Sequence, residues 1–495
     1  MSTVKRWYAL GALVLCVLVI GLDGTVLNVA LATLAADLGA TTGELQWIVA
    51  AYLVTFSVFL LPAGIAGDRW GRKRLLLAGV ALFGASSVLA AFAGDAAMLI
   101  AARAVMGVGA AIIMPLSMSA LPTIFAEHER SRAISILTVG TALALPLGPI
   151  VGGWLLENYW WGSVFLINVP VAAVAIVAAA VLLPESRDPS PSKIDIISIL
   201  LSMGGLGLLV YGVIEAPVAG WGSAKALGSI GAGIVALIGF WVRDSLGTRE
   251  FFKNRAFTWG TVATVFAALA LMGVLFALPL RLQAVDGFSA MATGVRLIPL
   301  IAGIMITGRL ASPLAARIGH RATITFGMLL LSAGFLLASF TRGYPWTAAW
   351  LTVVGLGLGA AMVPAMDAVL AALPPGRTGT GSGLVQSLRQ VAGAFGVAGL
   401  GSLLNSIYTA GLPETAPQPA RESIVAAVRM GDPALAASAR EAFLSGMDGV
   451  MLACAAGAFL GAVLVIFFYR SAAAVEHLDY PQPELHPARS AVEGQ

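Results

Sequence analysis

The chain has 495 residues, of which 59% are hydrophobic and 11% are charged. A typical soluble domain carries about 25% charged residues, so 29 basic and 25 acidic side chains are too few to cover a soluble protein of this length. The composition therefore excludes a soluble globular protein and predicts that lipid surrounds most of the chain. The formal charge of +4 does not indicate a nucleic-acid partner, because no basic run is longer than the cluster at residues 72–74.

Long apolar segments divide the chain into predicted membrane spans. A membrane helix needs about 20 mostly apolar residues to cross about 30 Å of hydrocarbon. The sequence predicts an all-α membrane protein with 14 transmembrane helices. The segments are 8–31, 46–67, 75–93, 97–122, 133–156, 164–184, 194–216, 226–242, 261–283, 293–316, 322–340, 346–373, 381–406 and 443–469.

The Lys and Arg residues predict the orientation of these spans, since cytoplasmic loops carry the excess of positive charge. With the N-terminus inside, 19 of the 29 basic residues fall in cytoplasmic segments, and the short outer loops hold two, Lys225 and Arg342. We therefore expect a multi-pass protein of the cytoplasmic membrane with both termini in the cytoplasm. A cleaved signal peptide is the alternative for the first span, but its length and the polar Asp23 and Asn28 favour an uncleaved helix.

Two short internal similarities indicate that the chain is built from repeated halves. Arg69 and Gly71 recur as Arg317 and Gly319, an offset of 248 residues, and the Gly-rich segment at 107–111 recurs 250 residues later. Both relate span n to span n+8, which predicts two six-helix bundles, spans 1–6 and 9–14, with spans 7 and 8 inserted between them. The predicted domains are an N-terminal bundle at 1–190, two inserted spans at 191–257, a C-terminal bundle at 258–470 and a cytoplasmic tail at 471–495.

The loop between spans 2 and 3, residues 64–73, resembles the signature loop of the major facilitator superfamily. Residues 148–153 in span 5 are similar to the antiporter motif of drug exporters in that superfamily. Segments 22–31, 46–53, 165–170 and 379–390 resemble its fourteen-span drug/proton antiporter branch. The chain departs from these patterns at Ala144, where the leading glycine of the antiporter motif usually stands, and at Ala32, which replaces a proline.

The resemblance implies transport by alternating access, in which protons drive the export of drugs or antibiotics. It implies a gating loop between spans 2 and 3 and a span 5 motif that seals the pathway against leak. The alternatives are that the loop's basic residues only set topology and that the span 5 glycines only pack helices. The gating residues would be Gly64, Asp68, Arg69, Gly71 and Arg72, and the antiporter motif Gly148, Pro149, Gly152 and Gly153.

Two carboxylates lie deep inside predicted spans, where an ionised side chain is costly and marks a functional site by default. They are Asp23 in span 1 and Asp367 in span 12. Arg103 lies at a similar depth to Asp23, and Arg389 at a similar depth to Asp367, so each arginine is the expected partner of that acid. Burial disfavours a charged carboxylate and a neighbouring cation favours it, a balance that lets the group load and release a proton. A fixed structural ion pair is the alternative.

Polarisable and aromatic side chains inside the spans could offer a substrate a pliable apolar surface. Core packing or lipid contact is the alternative for each of them. We expect a small organic substrate that is amphipathic or cationic. The candidate cavity residues are Asn28, Trp47, Tyr52, Met114, Met362 and Met366.

The energy source is predicted to be a proton gradient, with no cofactor. A phosphate-binding loop needs Gly before its Lys, and no Lys of this chain follows a Gly. One proton crossing 100 mV provides about 2.3 kcal/mol, enough for a drug gradient of roughly fifty-fold. No metal-ligand spacing or catalytic acid pair is present, so we expect a transporter rather than an enzyme. We expect it to act as a monomer in membrane lipid.

Two other functions are possible for such a chain. One is the export of a dedicated metabolite, lipid or siderophore. The other is a transport-inactive receptor or scaffold, which the embedded acids disfavour.

Overall fold

The computed structural model describes residues 3–187, 195–243, 247–373 and 378–469. Within these ranges the chain forms helices and no strand, so the all-α fold class is confirmed. Thirteen helices in the described ranges are long and apolar enough to cross a membrane. A further helix of 32 residues occupies the position of the fifth predicted span. The number of membrane crossings stays a prediction.

We number the long helices α1 to α14 in chain order. Helix α6 is interrupted at Ile167 and α10 at Leu297, while α9 ends in a π-helical turn and α13 contains one. Helix α13 continues a helix that begins at Thr378. The bounds are α1 Thr3–Asp37, α2 Thr42–Trp70, α3 Arg72–Ala91, α4 Ala96–Ile124, α5 Glu127–Asn158, α6 Ser163–Leu182, α7 Ile196–Ala219, α8 Ala224–Arg243, α9 Arg255–Val285, α10 Ala290–Ile318, α11 His320–Phe340, α12 Tyr344–Ala371, α13 Gly381–Gly411 and α14 Pro433–Phe468.

The helix ends follow local capping chemistry rather than hydropathy. Helix α2 begins at Thr42, before the predicted span start at 46, because Thr41 and Glu44 form a capping box there. Helix α14 begins at Pro433, ten residues before the predicted start at 443, because the Asp432 carboxylate accepts hydrogen bonds from its first turn. Apolar length alone therefore predicts the apolar middle of each helix and misses its polar ends.

The packing of the long helices repeats with an offset of eight helices. Helix α4 packs on α2 and α3, and α6 packs on α1 and α3; in the same way α12 packs on α10 and α11, and α14 packs on α9 and α11. The α1–α5 contact recurs as α9–α13. Gly71 and Gly319 both join consecutive helices at positive φ, 111° and 88°. The predicted relation of span n to span n+8 therefore appears in the packing, and we call α1–α6 the N-terminal half and α9–α14 the C-terminal half.

The predicted domain boundaries at 190, 257 and 470 stay predictions. Residues 188–194, 244–246 and 470–495, which include the predicted cytoplasmic tail, lie outside the described residues. What the structure adds is the position of the inserted helices. Helix α7 packs against α2 and α13 and pairs with α8.

The two halves meet mainly at two interfaces, α2 with α13 and α5 with the first turns of α10, and α1 also contacts α9. Polar contacts between the halves gather at one end of the bundle, which carries the loop at 38–41 and which we call the α1–α2 end. The connection between α13 and α14 forms the short helices Gln418–Glu422 and Ile424–Arg429 at this end. The contacts are Thr42 Oγ1 to the Glu422 carbonyl at 2.8 Å, Gln283 Nε2 to the Val29 carbonyl at 2.8 Å, and Arg429 Nη1 to the Ala36 carbonyl at 2.9 Å.

Candidate functional site

A buried ion pair lies in the N-terminal half. Arg103 Nη1 of α4 lies 2.5 Å from Asp23 Oδ2 of α1, and each side chain is 1% exposed. Arg103 Nε also donates to the Ile48 carbonyl of α2 at 3.2 Å. The guanidinium carbon lies 4.3 Å from the ring centroid of Tyr52, within the range of a cation–π interaction. Arg103 therefore joins α1, α2 and α4 around the predicted acid.

The opposite side of Asp23 faces Asn168 of α6. Asn168 Nδ2 donates to Asp23 Oδ1 at 3.3 Å and lies 3.5 Å from Ser87 Oγ of α3. Asn168 Oδ1 and the Tyr52 hydroxyl are buried and have no hydrogen-bond partner among the described residues. An unpaired buried polar atom costs about 1–3 kcal/mol, so two of them beside a buried charge call for an explanation.

Asn168 and Ser87 are the residues that sequence reasoning did not place at this site. Asn168 belongs to the segment 165–170 that resembles the antiporter branch, so a signal for it was present in the sequence. Ser87 carried no such signal. An unexceptional serine in an apolar helix becomes part of the site only when the packing of α3 on α6 is known.

The second predicted acid and base do not form the expected pair. Asp367 Oδ2 of α12 accepts from Ser312 Oγ of α10 at 2.7 Å, whereas Arg389 Nη1 of α13 donates to Gln386 Oε1 at 3.2 Å. Arg389 Nε is buried without a partner among the described residues. Similar depth suggested the pairing, but depth does not fix the helix face, and Asp367 is directed toward α10. The roles of both residues in proton coupling stay predictions.

The span 5 motif packs one glycine-lined face of α5 on α1. A Cβ atom added at Gly148 would overlap the Thr25 side chain, and one added at Gly152 would lie 2.9 Å from Val26 Cγ1. Thr25 Oγ1 donates to the Ala144 carbonyl at 3.1 Å. The departure at Ala144 is therefore compatible with close packing, because the contact there uses the backbone.

The other face of the span 5 motif forms the α5–α10 interface between the halves. A Cβ atom added at Gly153 would lie 2.5 Å from Met291 Cα, and one added at Gly294 would overlap the Pro149 carbonyl. Backbone thus lies directly on backbone across this interface. The motif occupies both a contact within one half and a contact between the halves.

The predicted gating loop forms a compact charged turn between α2 and α3. Arg72 Nη2 lies 2.7 Å from Asp68 Oδ1, and Arg72 Nη1 donates to the Ser119 carbonyl of α4 at 3.3 Å. Gly71 adopts φ 111°, and a Cβ atom there would lie 2.8 Å from Glu185 Oε1. The turn is therefore fastened to α4 and to the segment that follows α6.

The remaining loop residues have simpler surroundings. Gly64 faces α4, and an added Cβ atom would lie 3.7 Å from Pro115 Cβ, an ordinary contact, so the packing there does not require a glycine. Arg69 is exposed, and no partner of its side chain is found among the described residues. The role of Arg69, in gating or in topology, stays a prediction, whereas Asp68, Gly71 and Arg72 take part in specific contacts.

The predicted cavity residues are dispersed. Tyr52 belongs to the Asp23 site, and Asn28 is buried and donates to the Gly24 carbonyl at 3.1 Å. The Trp47 ring lies against Tyr211 of the inserted α7, with the ring centroids 6.4 Å apart, so packing accounts for it without a substrate. Three methionines are partly buried, and their role in binding stays a prediction: Met114 and Met362 beside the main apolar core, and Met366 beside a smaller cluster around Phe257.

A cavity of about 390 Å³ opens at the α1–α2 end, between the contacts that join the halves. In the loop between α9 and α10, burial raises the pKa of the Asp286 carboxyl, and the Arg281 guanidinium, 3.5 Å away, opposes that rise. In the described ranges no group of three or more His, Cys, Asp or Glu side chains is arranged to hold a metal ion. The polar residues that line the 390 Å³ cavity include Thr33, Glu157, Gln283, Ser289, Arg429 and Arg440.

Comparison with known proteins matches this architecture to one family. Residues 13–397 match the family model described as the Major Facilitator Superfamily. The tetracenomycin C resistance and export protein of Streptomyces glaucescens is 34% identical over 412 residues, 81% of this chain and 76% of that protein. The multidrug efflux pump LfrA of Mycolicibacterium smegmatis is 34% identical over 484 residues, 92% of this chain and 96% of that protein.

A solved structure has the same fold. The bacterial homolog of the human lysosomal transporter Spinster, in an inward-facing and unoccupied conformation, superposes with a TM-score of 0.70. It is 18% identical, and the match covers 95% of this chain and 100% of that one. The likeness extends to the fold and, at this identity, carries no further conclusion.

Proposed function

The chain belongs to the Major Facilitator Superfamily, and we propose that it exports drugs or antibiotics across the cytoplasmic membrane in exchange for protons, by alternating access. The observation that carries the proposal is the Asp23–Arg103 pair, which is 1% exposed on both sides and lies inside a membrane bundle. A charge pair is expensive there. A protein that only had to fold or to form a scaffold would gain little from it.

The chemistry of the pair supports proton coupling through Asp23. When Asp23 is ionised, it attracts Arg103; when it is protonated, that attraction weakens and the carboxyl gains a donor. Arg103 stays bound to α2 through the Ile48 carbonyl, at 3.2 Å. Protonation therefore changes the contact of α1 with α4 more than the contact of α4 with α2.

Helix α1 carries this change toward the α1–α2 end. Asp23 lies six residues before Val29, whose carbonyl accepts from Gln283 of the C-terminal half at 2.8 Å. Six helical residues correspond to about 9 Å. A shift of α1 upon protonation would therefore act on a contact between the halves, as alternating access requires.

The orientation follows from the positive loops. With the N-terminus in the cytoplasm, the α1–α2 end faces outside, and the contacts that join the halves there close the outer end of the pathway. The substrate would then enter from the cytoplasm. Substrate and proton must bind the two states with different affinities, since a ligand that binds both equally shifts nothing.

The substrate we propose is a small organic molecule, amphipathic or cationic, that a monomer of the chain moves within membrane lipid. Two relatives support export of such compounds, one named for multidrug efflux and one for tetracenomycin C. Because the latter is named for a single compound, an exporter dedicated to one metabolite is the second candidate. The proton gradient supplies the energy, and no cofactor is proposed.

Drug susceptibility tests this function. A bacterial host that lacks its own exporters would carry the wild-type chain, Asp23→Asn or an empty vector, and growth would be scored against a panel of unrelated drugs. We expect the wild type to raise resistance to several drugs and Asp23→Asn to raise none. Resistance to one compound alone would favour the dedicated exporter, and no protection by a properly inserted wild-type chain would contradict drug export.

A further inference from the structure

A single buried side chain links two helices at the interface of α2 with α13. Gln46 of α2 is 1% exposed. Its Nε2 donates to the Val397 and Ala398 carbonyls of α13 at 3.1 and 3.0 Å and lies 3.5 Å from Ser402 Oγ. These carbonyls belong to the π-helical turn Gly396–Leu400. A π turn breaks the regular helical bonding and often occurs at functional sites.

The close approach at Gln46 depends on a glycine. A Cβ atom added at Gly401 would overlap Gln46 Nε2. The amide therefore fits into a gap that α13 leaves open beside its π turn. We call Gln46, the π turn, Gly401 and Ser402 the Gln46 junction.

The inserted helix α7 is bound to the same junction. Ser402 Oγ donates to the Val213 carbonyl of α7 at 2.8 Å. The residue after Gln46, Trp47, lies against Tyr211 of α7, with the ring centroids 6.4 Å apart. Both partners of the interface, α2 and α13, thus contact α7 where the amide crosses between them.

The repeat shows what is unusual about this junction. At the offset of 248 residues, Gln46 corresponds to Gly294, and Pro149 corresponds to Val397. Gly294 packs directly on the Pro149 carbonyl at the α5–α10 interface, as the Gln46 amide binds the Val397 carbonyl at the α2–α13 interface. The same contact is made twice, once by a glycine and once by a hydrogen-bonding side chain.

The two interfaces therefore respond differently to separation. Parting Gly294 from Pro149 exposes backbone and breaks no side-chain hydrogen bond of either residue. Parting α2 from α13 breaks the hydrogen bonds from the Gln46 amide to the π-turn carbonyls, and each such bond contributes a net of about 0.5–1.5 kcal/mol. The closed state thus has buried side-chain hydrogen bonds at the α2–α13 interface, which α7 covers, whereas the α5–α10 interface has an exposed one, from Met291 N–H to Glu157 Oε1 at 3.3 Å.

We propose that Gln46 is a positioning residue of the gate at the α1–α2 end, which stabilises the closed state by binding the π turn of α13, and that α7 braces this contact through Ser402. The proposal rests on the alternating access proposed above. Replacing Gln46 removes a stabilisation that the open state does not use. The open-to-closed ratio at this end is therefore expected to rise about tenfold, which corresponds to about 1.4 kcal/mol.

Distance measurements between spin labels test the proposal on the full chain in lipid nanodiscs. The labels would be placed at Asp37→Cys and Glu414→Cys, two exposed positions at the α1–α2 end in opposite halves. The buried Cys16 and Cys454 would be replaced by alanine. We expect one short distance in the wild type and a second, longer population in Gln46→Leu. An unchanged distribution in folded, monodisperse Gln46→Leu would overturn the proposal.

A matched control removes a partly buried hydrogen bond between two helices of one half. Thr55 Oγ1 of α2 donates to the Ala104 carbonyl of α4 at 2.8 Å, so Thr55→Val loosens α2 without touching the interface with α13. We expect the wild-type distribution for this variant. A shift as large as that of Gln46→Leu would mean that any loosening of α2 opens the gate, and would overturn the specific role of Gln46.

Two further variants separate the junction from general destabilisation. Gly401→Ala keeps Gln46 but fills the gap, so it should raise the open population. In the double variant Gln46→Ala/Gly401→Ala the shortened side chain leaves room for the new methyl group, so Gly401→Ala should add nothing to the effect of Gln46→Ala. Ser402→Ala keeps the carbonyl bonds and removes the link to α7, so we expect a smaller shift in the same direction. If the effects of Gln46→Ala and Gly401→Ala on the open population are fully additive, the two residues are not in contact. If Ser402→Ala leaves the distance distribution unchanged, α7 does not brace the junction.

These measurements need neither substrate nor a proton gradient. If the wild type exports no drug but Gln46→Leu still populates the longer distance, the proposed function fails and the gate contact stands. If the wild type exports drugs and the distances do not change, only the gate contact fails.

Discussion

The substitution Asp23→Asn tests the proton site most directly. It keeps the size of the side chain and removes its charge and its titration. The structure indicates how the variant would be accommodated. The side-chain oxygen of Asn at position 23 can still accept a hydrogen bond from Arg103. The new amide N–H needs an acceptor, and Asn168 Oδ1 is buried and has no hydrogen-bond partner among the described residues. A rotation of the Asn168 amide would supply it.

The magnitude follows from what Arg103 retains. Complete removal of one partner of a buried ion pair costs about 3–5 kcal/mol. In Asp23→Asn the guanidinium keeps the Ile48 carbonyl at 3.2 Å, the Tyr52 ring at 4.3 Å and a neutral acceptor in place of the carboxylate. We therefore expect a smaller loss, about 1–3 kcal/mol. Asp23→Asn should fold and insert, whereas Asp23→Ala should express poorly.

Transport should separate into two modes. Because Asn at position 23 resembles the permanently protonated acid, uphill export should stop and the roughly fifty-fold gradient that one proton can drive at 100 mV should disappear. Downhill exchange of substrate should survive, since it needs no change of protonation. Reconstituted vesicles can measure uphill transport, counterflow and proton release on substrate addition in the same preparation.

The result that would refute the reasoning is undiminished proton release in Asp23→Asn. Asp367→Asn is the matched control, because it makes the same change in the acid of the C-terminal half. Normal release in Asp23→Asn with none in Asp367→Asn would move the proton site to Asp367. Loss of every transport mode in a poorly inserted Asp23→Asn would instead indicate a structural ion pair.

Four other outcomes are expected. A reporter that is active only outside the cytoplasm should be silent when fused after Gln495, and activity there would contradict the orientation. Uphill efflux should collapse when a protonophore discharges the gradient at constant ATP, and persistent efflux would rule out proton coupling. Asp68→Asn removes the charge that Arg72 contacts at 2.7 Å, far from the Asp23 site, so stopped-flow exchange should slow while equilibrium substrate affinity changes little. The reverse pattern would count against a gating role. Gly153→Val places side-chain atoms where Met291 Cα already lies 2.5 Å from an added Cβ, so export should fall severalfold with normal membrane insertion, and full activity would show that this interface need not close.

The sequence could predict the helices and their repeat because both depend on features that are local or periodic. Apolar length places a helix, and the offset of 248 residues between Gly71 and Gly319 places the halves. Helix interruptions were not predictable in the same way. The π turn Gly396–Leu400 has the composition of any small-residue membrane segment. Its position depends on Gln46 and on Leu269 of α9, which approach it from distant parts of the chain.

The contact between Asp23 and Arg103 could be predicted from the charge of the two residues and their similar depth in the predicted spans. Asp23 and Arg103 were matched by depth, and they are in contact because α1 and α4 present those faces to each other. The same reasoning failed for Asp367 and Arg389, because two residues at one depth on neighbouring helices can face different partners. Depth is a single coordinate, and an ion pair also requires the helix rotation, which only the packing of the whole bundle determines.

Equivalent positions of the two halves differ in charge, and the buried ion pair lies in the N-terminal half. At the offset of 248 residues, which the close contacts of Gly107 and Gly355 also follow, Arg103 corresponds to Leu351, so the C-terminal half lacks the cation that would hold an acid at the depth of Asp23. Its own acid, Asp367, corresponds instead to Ser119, and Asp367 contacts only Ser312 by a hydrogen bond in the described ranges. Two halves with the same helix packing therefore differ in where charge is placed.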